Sequence, residues 1–172
     1  VETLQTMTPR ETVTVTIPEG YTIEEMAELF EEKEDALGGF AVRSQYKMWF
    51  RKDKSGPCIN WLLLRPRYAD KKVPVILFLN YRGNHELVCD PDIEVQQGWC
   101  RDGKFVKNNR AIEEIRGRMQ NQNEDTVFPL QSIIARGYAV MSACYCEVSP
   151  DPVMVEKDPR FQQNPFAYTG VF

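Results

Sequence analysis

The feature that most constrains the fold is a run of five apolar residues, Val75 to Leu79, between Pro74 and a polar loop that begins at Asn80. A half-buried strand alternates apolar and polar residues, whereas this run is apolar on both faces. Strands of this kind lie inside parallel sheets that are covered on both sides. The run therefore predicts a central strand of an α/β fold.

A second strand is predicted from Tyr138 to Cys146, after an amphipathic helix over Phe128 to Arg136 that ends at Gly137. Two strands joined through a helix form a βαβ unit, in which the strands run parallel with a right-handed crossover. The connection, residues 84–126, is polar and long, with a short helix predicted over Ala111 to Met119. Long connections of this kind are usually functional.

An antiparallel hairpin is predicted before the parallel unit. Residues 40–50 alternate with a period of two, which places Arg43, Gln45 and Lys47 on a polar side, and residues 58–64 form a second extended run. A hairpin followed by parallel strands is how the sheet of an α/β-hydrolase begins. The predicted fold is therefore the N-terminal part of an α/β-hydrolase three-layer sandwich with a mixed sheet.

The first 33 residues are predicted to form a separate extension, followed by a hydrolase portion over residues 34–172. Thr12 to Ile17 alternates as a strand does, and Thr22 with Glu25 forms a capping box that begins a helix. Helical spacing predicts a buried face made of Ile23, Met26, Ala27 and Phe30. The acidic residues between them predict a solvated helix face rather than a cation site.

Composition excludes several classes of partner. With 21 Lys plus Arg against 25 Asp plus Glu, the net charge of −4 lacks the basic footprint of a nucleic-acid binder. No apolar run approaches the ~18 residues that cross a bilayer. The single His and five Cys do not supply the paired ligands of a zinc site, so no metal or other cofactor is predicted. Whether Cys89 pairs with Cys100 is left open by the sequence.

Five segments carry a family resemblance: residues 35–43, 73–85, 116–117, 133–140 and 144–151. The most specific are the strand ending in Gly83-Asn84-His85 and the Ala-Arg-Gly-Tyr stretch before Pro150-Asp151. In this order they resemble the N-terminal half of the glucuronoyl esterase family, whose bacterial members are often labelled acetyl xylan esterases. Two residues depart from the family pattern, Glu147 at an Asp position and Cys146 at a small-residue position.

The resemblance implies a secreted or periplasmic serine esterase that acts on glucuronoyl or acetyl esters of plant cell-wall carbohydrate. Such enzymes place their nucleophile in a Gly-x-Ser-Arg-x-Gly-Lys turn, with an acidic residue and a His further along the chain. None of the five serines lies in such a turn, and in α/β-hydrolases the nucleophile follows the next parallel strand. Because Phe172 ends an apolar run, we expect a truncated, inactive chain without catalytic residues.

Gly83, Asn84 and His85 are the candidate site residues, because the loop after this strand commonly supplies an oxyanion donor or lines the pocket. His85 resembles a general base, but chain order places the catalytic His downstream, so we interpret it as a residue that orients the turn. Ordinary turn chemistry is the alternative explanation for Gly83 and Asn84.

Three further residues are candidate substrate contacts. Arg82 and Arg116 suit a uronate carboxylate, although Arg side chains often tie long loops to the protein body. Trp99, in a polar loop, is a candidate for stacking on a sugar ring. Glu147 and Asp151 are interpreted as turn-capping groups rather than a catalytic carboxylate pair.

Two other functions remain open at this point. The chain is alternatively a non-catalytic carbohydrate-binding or interaction module on a partial hydrolase scaffold. Residues 13–32 also resemble the small LysM-like segment of endolytic murein transglycosylases, which implies a downstream catalytic Glu. Half a hydrolase sheet leaves an unpaired edge, so we also expect self-association.

Overall fold

The computed structural model describes residues 22–56, 58–96, 106–121 and 127–148. Its strands are β1 (Ala27–Asp35), β2 (Ala41–Trp49), β3 (Cys58–Pro66), β4 (Val75–Asn80), β5 (Val106–Lys107), β6 (Arg110–Ala111) and β7 (Ala139–Cys144). Its helices are α1 (Ile23–Met26), α2 (Ala36–Gly39), α3 (Asn84–Leu87), α4 (Leu130–Ala135) and α5 (Tyr145–Val148), with 3-10 turns at Glu113–Ile115 and Arg118–Gln120. Within these ranges, no helix is long and apolar enough to cross a membrane.

The predicted fold class is confirmed. Five strands form a mixed sheet in the order β1-β2-β3-β7-β4, and β5 and β6 form a separate pair. β2 and β3 form the predicted antiparallel hairpin, with Ala41 opposite Pro66 and Trp49 opposite Cys58. β4 runs parallel to β7 from Val75 to Asn80, as the βαβ pattern predicts.

A hydrophobic core forms where helices and the long connection pack against the sheet. Apolar side chains of β3 and β7 meet those of α3 and α4, among them Leu62, Leu64, Leu87, Leu130, Ile134 and Val140. Gly137 ends α4 with a positive φ of 84°, and its N–H donates to the carbonyl of Ile134 at 2.9 Å. The predicted helix over residues 128–136 is thus confirmed, beginning after Pro129.

The prediction that Val75 to Leu79 is covered on both sides is wrong for the described residues. β4 is the last strand of the sheet, and Leu77 is 62% exposed. The apolar pattern predicts that β4 is covered on both faces, as the inner strands of a complete sheet are. In the described part of the chain, β4 has a strand neighbour on one side only. Its apolar side chains therefore form an exposed strip.

The helix predicted from Thr22 to Phe30 is wrong beyond Met26. The capping box forms, since the Thr22 N–H donates to the Glu25 carboxylate at 2.9 Å, but β1 begins at Ala27. β1 pairs antiparallel with β2, and a helix of four residues makes too few hydrogen bonds to compete with this pairing. Glu28, Glu31 and Glu32 therefore lie on a strand.

The alternation in β2 places Arg43 and Gln45 on a polar side, which is expected to face solvent. In the structure both side chains are buried, at 0% and 4% exposed. Arg43 Nη2 donates to Glu31 Oε1 at 2.7 Å, and its Nε lies 3.2 Å from Asp90 Oδ2. Gln45 Oε1 accepts the N–H of Glu94 at 2.9 Å. The polar side of β2 is therefore covered by β1 and by residues 90–94, which supply partners to the Arg43 and Gln45 side chains.

Residues 111–119 form β6 and 3-10 turns instead of the predicted helix. Gly117 interrupts any helix here, because its φ is 62° and its backbone lies against Cys89. The strand predicted to end at Cys146 ends at Cys144, where α5 begins. Residues 12–17, predicted as a strand, lie outside the described residues, and the division of the chain after residue 33 stays a prediction.

Candidate functional site

The candidate site lies at the carboxyl ends of the two parallel strands. β4 leads into residues 81–87, and β7 leads directly into α5. Tyr81 and Tyr145, the first residues after these strands, stack with ring centroids 6.0 Å apart. In open α/β sheets, ligands bind at this edge.

Asn80, the last residue of β4, is the centre of a buried hydrogen-bond network. Its Nδ2 donates to Asn84 Oδ1 at 2.9 Å and to Ser142 Oγ at 2.7 Å. Its Oδ1 accepts the N–H of Gly83. One amide thus fixes β4, β7 and the loop between β4 and α3 relative to one another, and every polar atom of its side chain has a partner.

The network continues through Asn84 to β3 and α5. Asn84 Nδ2 donates to the carbonyl of Asn60 at 2.9 Å, and the N–H of Asn60 donates to Glu147 Oε2 at 2.9 Å. Asn60 Nδ2 also donates to Glu147 Oε1. Burial raises the pKa of Glu147 to about 8, although the hydrogen bonds from Asn60 lower it. At neutral pH this carboxyl is therefore largely protonated.

His85 and Glu86 are fully buried in α3. The carbonyl of His85 accepts the N–H of Gly117 at 3.0 Å, which joins α3 to the long connection. Arg82 Nη1 lies 3.6 Å from Glu86 Oε2, with 16% of its side chain exposed. The interpretation of His85 as a residue that orients the turn stays a prediction, as does its role in the site.

Gly83 lies close to the side chains of Gln96 and His85. Its φ is 100°, and a Cβ there would lie 2.6 Å from both polar atoms of the Gln96 amide and 2.8 Å from His85 Cε1. Gln96 is 3% exposed, and its amide has no hydrogen-bond partner among the described residues. The loop conformation at this point thus requires glycine.

The Arg116 side chain contacts the protein body, which is the alternative to a substrate contact that the sequence leaves open. Its Nε donates to the carbonyl of Ala111 at 2.8 Å, as an Arg that ties a loop to the protein body does. Its contact with a substrate stays a prediction. Trp99, Asp151 and Cys100 lie outside the described residues.

The buried thiols near this edge have raised pKa values. Burial raises the pKa of Cys58 to about 11, and a hydrogen bond with Cys146, followed by burial, raises the pKa of Cys144 well above its ordinary value. They remain protonated and pack as small apolar groups. Across the four described ranges, no three His, Cys, Asp or Glu side chains come together as metal ligands.

The sequence interpretation missed Asn80, Asn60, Ser142 and Gln96. One signal was available, because Asn80 is a polar residue at the end of an otherwise apolar strand, and such a residue needs a buried partner. The assembled groups are neutral amides, a hydroxyl and a protonated carboxyl. This arrangement holds backbone in place.

Together, the mixed sheet, the parallel pair and the ordered loop after β4 define part of an α/β-hydrolase scaffold. The chain is similar to carbohydrate esterase MZ0003, from an unknown prokaryotic organism, with 33% identity over 138 residues. This match covers 78% of the chain and 30% of the esterase. No family model matches the chain.

The chain is also similar to solved structures of esterases. A glucuronoyl esterase from Solibacter usitatus matches with a TM-score of 0.57 and 27% identity. A promiscuous CE15 esterase from the marine bacterial metagenome matches with a TM-score of 0.53 and 31% identity. Each match covers 73% of this chain and 30% of the other. The resemblance to the glucuronoyl esterase family is thereby confirmed, and the chain spans about 30% of the length of these relatives.

Proposed function

We propose that the complete protein carrying this chain is a serine esterase that hydrolyses glucuronoyl or acetyl esters on plant cell-wall carbohydrate. The observation that supports this most directly is the 33% identity to a carbohydrate esterase over 138 residues. That match covers most of the chain, whose loop 81–87 is fixed by buried hydrogen bonds at the ligand-binding edge of the sheet. Because polysaccharide substrates lie outside the cell, we also propose a secreted or periplasmic location.

In the proposed mechanism, a Ser outside this chain attacks the ester carbonyl, a His accepts the Ser proton, and water then hydrolyses the acyl-enzyme. The nucleophile would follow a further parallel strand beside β4. Residues 83–85 would then form one wall of the pocket and contribute a backbone N–H to the oxyanion site. The N–H of Gly83 already donates to Asn80, so the oxyanion donor would be another backbone N–H of this loop.

Within this proposal, the protein body near the site contributes substrate contacts rather than proton transfer. Arg82, whose side chain is 16% exposed beside the carboxylate of Glu86, would meet the carboxyl group of the uronate. Arg116 and Trp99 are proposed as further contacts. The buried His85 holds the turn.

The test is hydrolysis of two substrates, a methyl ester of glucuronoate and an acetylated xylan, by the complete protein and by residues 1–172 alone. We expect the complete protein to release methanol, acetate or both, and the chain alone to release neither. In the complete protein, Asn84→Ala should lower turnover, because the loop loses its hydrogen bonds to Asn80 and Asn60. Release from neither substrate by the complete protein contradicts the proposed function, and release by the chain alone contradicts its proposed lack of a nucleophile.

A further inference from the structure

A groove opens at the edge of the sheet opposite the candidate site. It is lined by the residues that precede the parallel strands and by the end of the hairpin, including Phe40, Arg67, Tyr68, Lys71, Val73 and Gly137. Its volume is about 410 Å³, within the range of pockets that hold small organic ligands. We call it the basic groove.

Two aromatic rings are exposed at the basic groove, in contrast to the buried apolar core. Tyr68 is 82% exposed and Phe40 is 73% exposed. The guanidinium of Arg67 lies over the Tyr68 ring, 5.6 Å from its centroid, and the N–H of Arg67 donates to the carbonyl of Phe40 at 3.0 Å. The two rings are therefore held on neighbouring backbone and present flat apolar faces to solvent.

The charge of the basic groove is opposite to that of the chain. Its lining contains two cationic side chains, Arg67 and Lys71, and one carboxylate, Asp70, and two further cations, Arg65 and Lys72, adjoin it in sequence. The lining thus carries a charge of +1 in a chain whose net charge is −4. A positive surface on an acidic protein favours an anionic ligand.

We propose that the basic groove binds a uronate-bearing polysaccharide chain. The apolar face of a sugar ring packs on an exposed aromatic ring, and a guanidinium binds a carboxylate through paired hydrogen bonds. The basic groove supplies both groups next to each other, at Tyr68 and Arg67. This inference rests on the proposed function for its choice of polysaccharide, and it adds an anchoring site on the other edge of the sheet.

An acidic protein segment is the competing occupant. Protein interfaces bury a broad apolar centre, whereas the most exposed apolar groups of the basic groove are two aromatic rings beside cations. This arrangement favours a ligand with both flat rings and carboxylates. Binding to polyglutamate therefore serves as the discriminating measurement.

The test is affinity electrophoresis of the complete protein in gels with glucuronoxylan, with neutral xylan or with polyglutamate. We expect retardation by glucuronoxylan that exceeds retardation by the other two polymers. Tyr68→Ala and Arg67→Ala should each weaken binding to glucuronoxylan by about fivefold to tenfold, whereas Tyr68→Trp should retain it. Phe30→Ala is the matched control, because its ring lies below a cation, Lys47, at 4.9 Å and outside the basic groove.

Turnover of a small methyl glucuronoate ester separates this inference from the proposed function, since it does not require the basic groove. We expect the groove variants to hydrolyse the small ester at the wild-type rate. One outcome would overturn the basic groove as a glycan site: the protein hydrolyses the small ester, but Tyr68→Ala and Arg67→Ala do not change its retardation by glucuronoxylan. Equal retardation by polyglutamate would overturn it in favour of an acidic protein partner. Retardation that depends on Tyr68, without hydrolysis, would support the groove and contradict the esterase.

Discussion

At the scale of single residues, the buried carboxyl of Glu147 predicts a pH-dependent stability. Its pKa is raised by burial from 4.5 to about 8, so between these pH values the folded chain holds a proton that the unfolded chain releases. Its stabilising contribution is complete below the lower pKa and is lost as the pH rises through the higher one. The contribution of Glu147 to the free energy of unfolding should therefore fall by about 1 kcal/mol per pH unit over this interval.

Glu147→Gln removes this titration. Urea unfolding of the variant at a series of pH values should show a shallower fall with rising pH than the wild type does. Glu113→Gln, at an exposed position, is the control and should keep the wild-type slope. Identical slopes in wild type and Glu147→Gln would contradict the assignment of the proton to this carboxyl.

A second residue-scale prediction concerns Gly83. Gly83→Ala combines a positive φ with a steric overlap against Gln96 and His85, so we expect it to lower the free energy of unfolding by about 3 kcal/mol. Gly38→Ala is the matched control, because Gly38 also has a positive φ but no described heavy atom within 4 Å of the added Cβ. It should cost about 1 kcal/mol. Equal losses in urea unfolding would show that the overlap at Gly83 is relieved at no cost.

At the scale of elements, the local pattern predicted the hairpin, the parallel pair and α4 because each carries its own periodicity and turn residues. It was wrong where pairing with a distant strand decides the outcome. The residues after Met26 have helical spacing, yet β2 offers them a strand partner and Arg43 offers Glu31 a buried cation. A single sequence does not contain the position of that partner, so propensity and periodicity alone favour the helix.

The same reasoning explains what the sequence revealed of the candidate site. Gly83, Asn84 and His85 were predicted because they follow a strand at the ligand-binding edge of the sheet. The partners of Asn84 come from Asn80 and from Asn60, which is 24 residues away. A network of this kind depends on the register between strands, and that register emerges only when the sheet has formed.

The edge strand β4 gives a prediction at the scale of elements. An exposed, flat, apolar edge pairs readily with another chain, so we expect residues 1–172 on their own to self-associate. Leu77→Lys places a charge in the middle of β4, where Leu77 is 62% exposed, and should reduce association measured by sedimentation velocity. Val127→Lys, at an exposed residue outside the sheet, should not. Equal association of both variants would show that contact occurs elsewhere.

At the scale of the whole molecule, two observations lead to the expectation that β4 is covered in the complete protein: the exposed strip on β4 and the coverage of the relatives. The chain spans about 30% of each matched esterase, and β4 carries apolar side chains on both faces. Burial of these side chains contributes roughly 25 cal/mol per Å² of apolar surface removed from water. The complete protein should therefore gain stability by covering β4 with a further strand and with helices, which is the arrangement the proposed mechanism also requires.

Amide hydrogen exchange tests this expectation in β4. In a parallel ladder, alternate residues of β4 direct their N–H groups towards β7, and the others direct them to the open edge. In residues 1–172 alone, the second set should exchange rapidly, whereas in the complete protein it should slow by on the order of a hundredfold, because those groups gain partners inside a stable sheet. Amides of β2 serve as the internal control, since β2 already lies between β1 and β3. Outward amides of β4 that exchange at the same rate in both proteins would show that β4 remains an edge strand and that the proposed nucleophile does not follow a strand beside it.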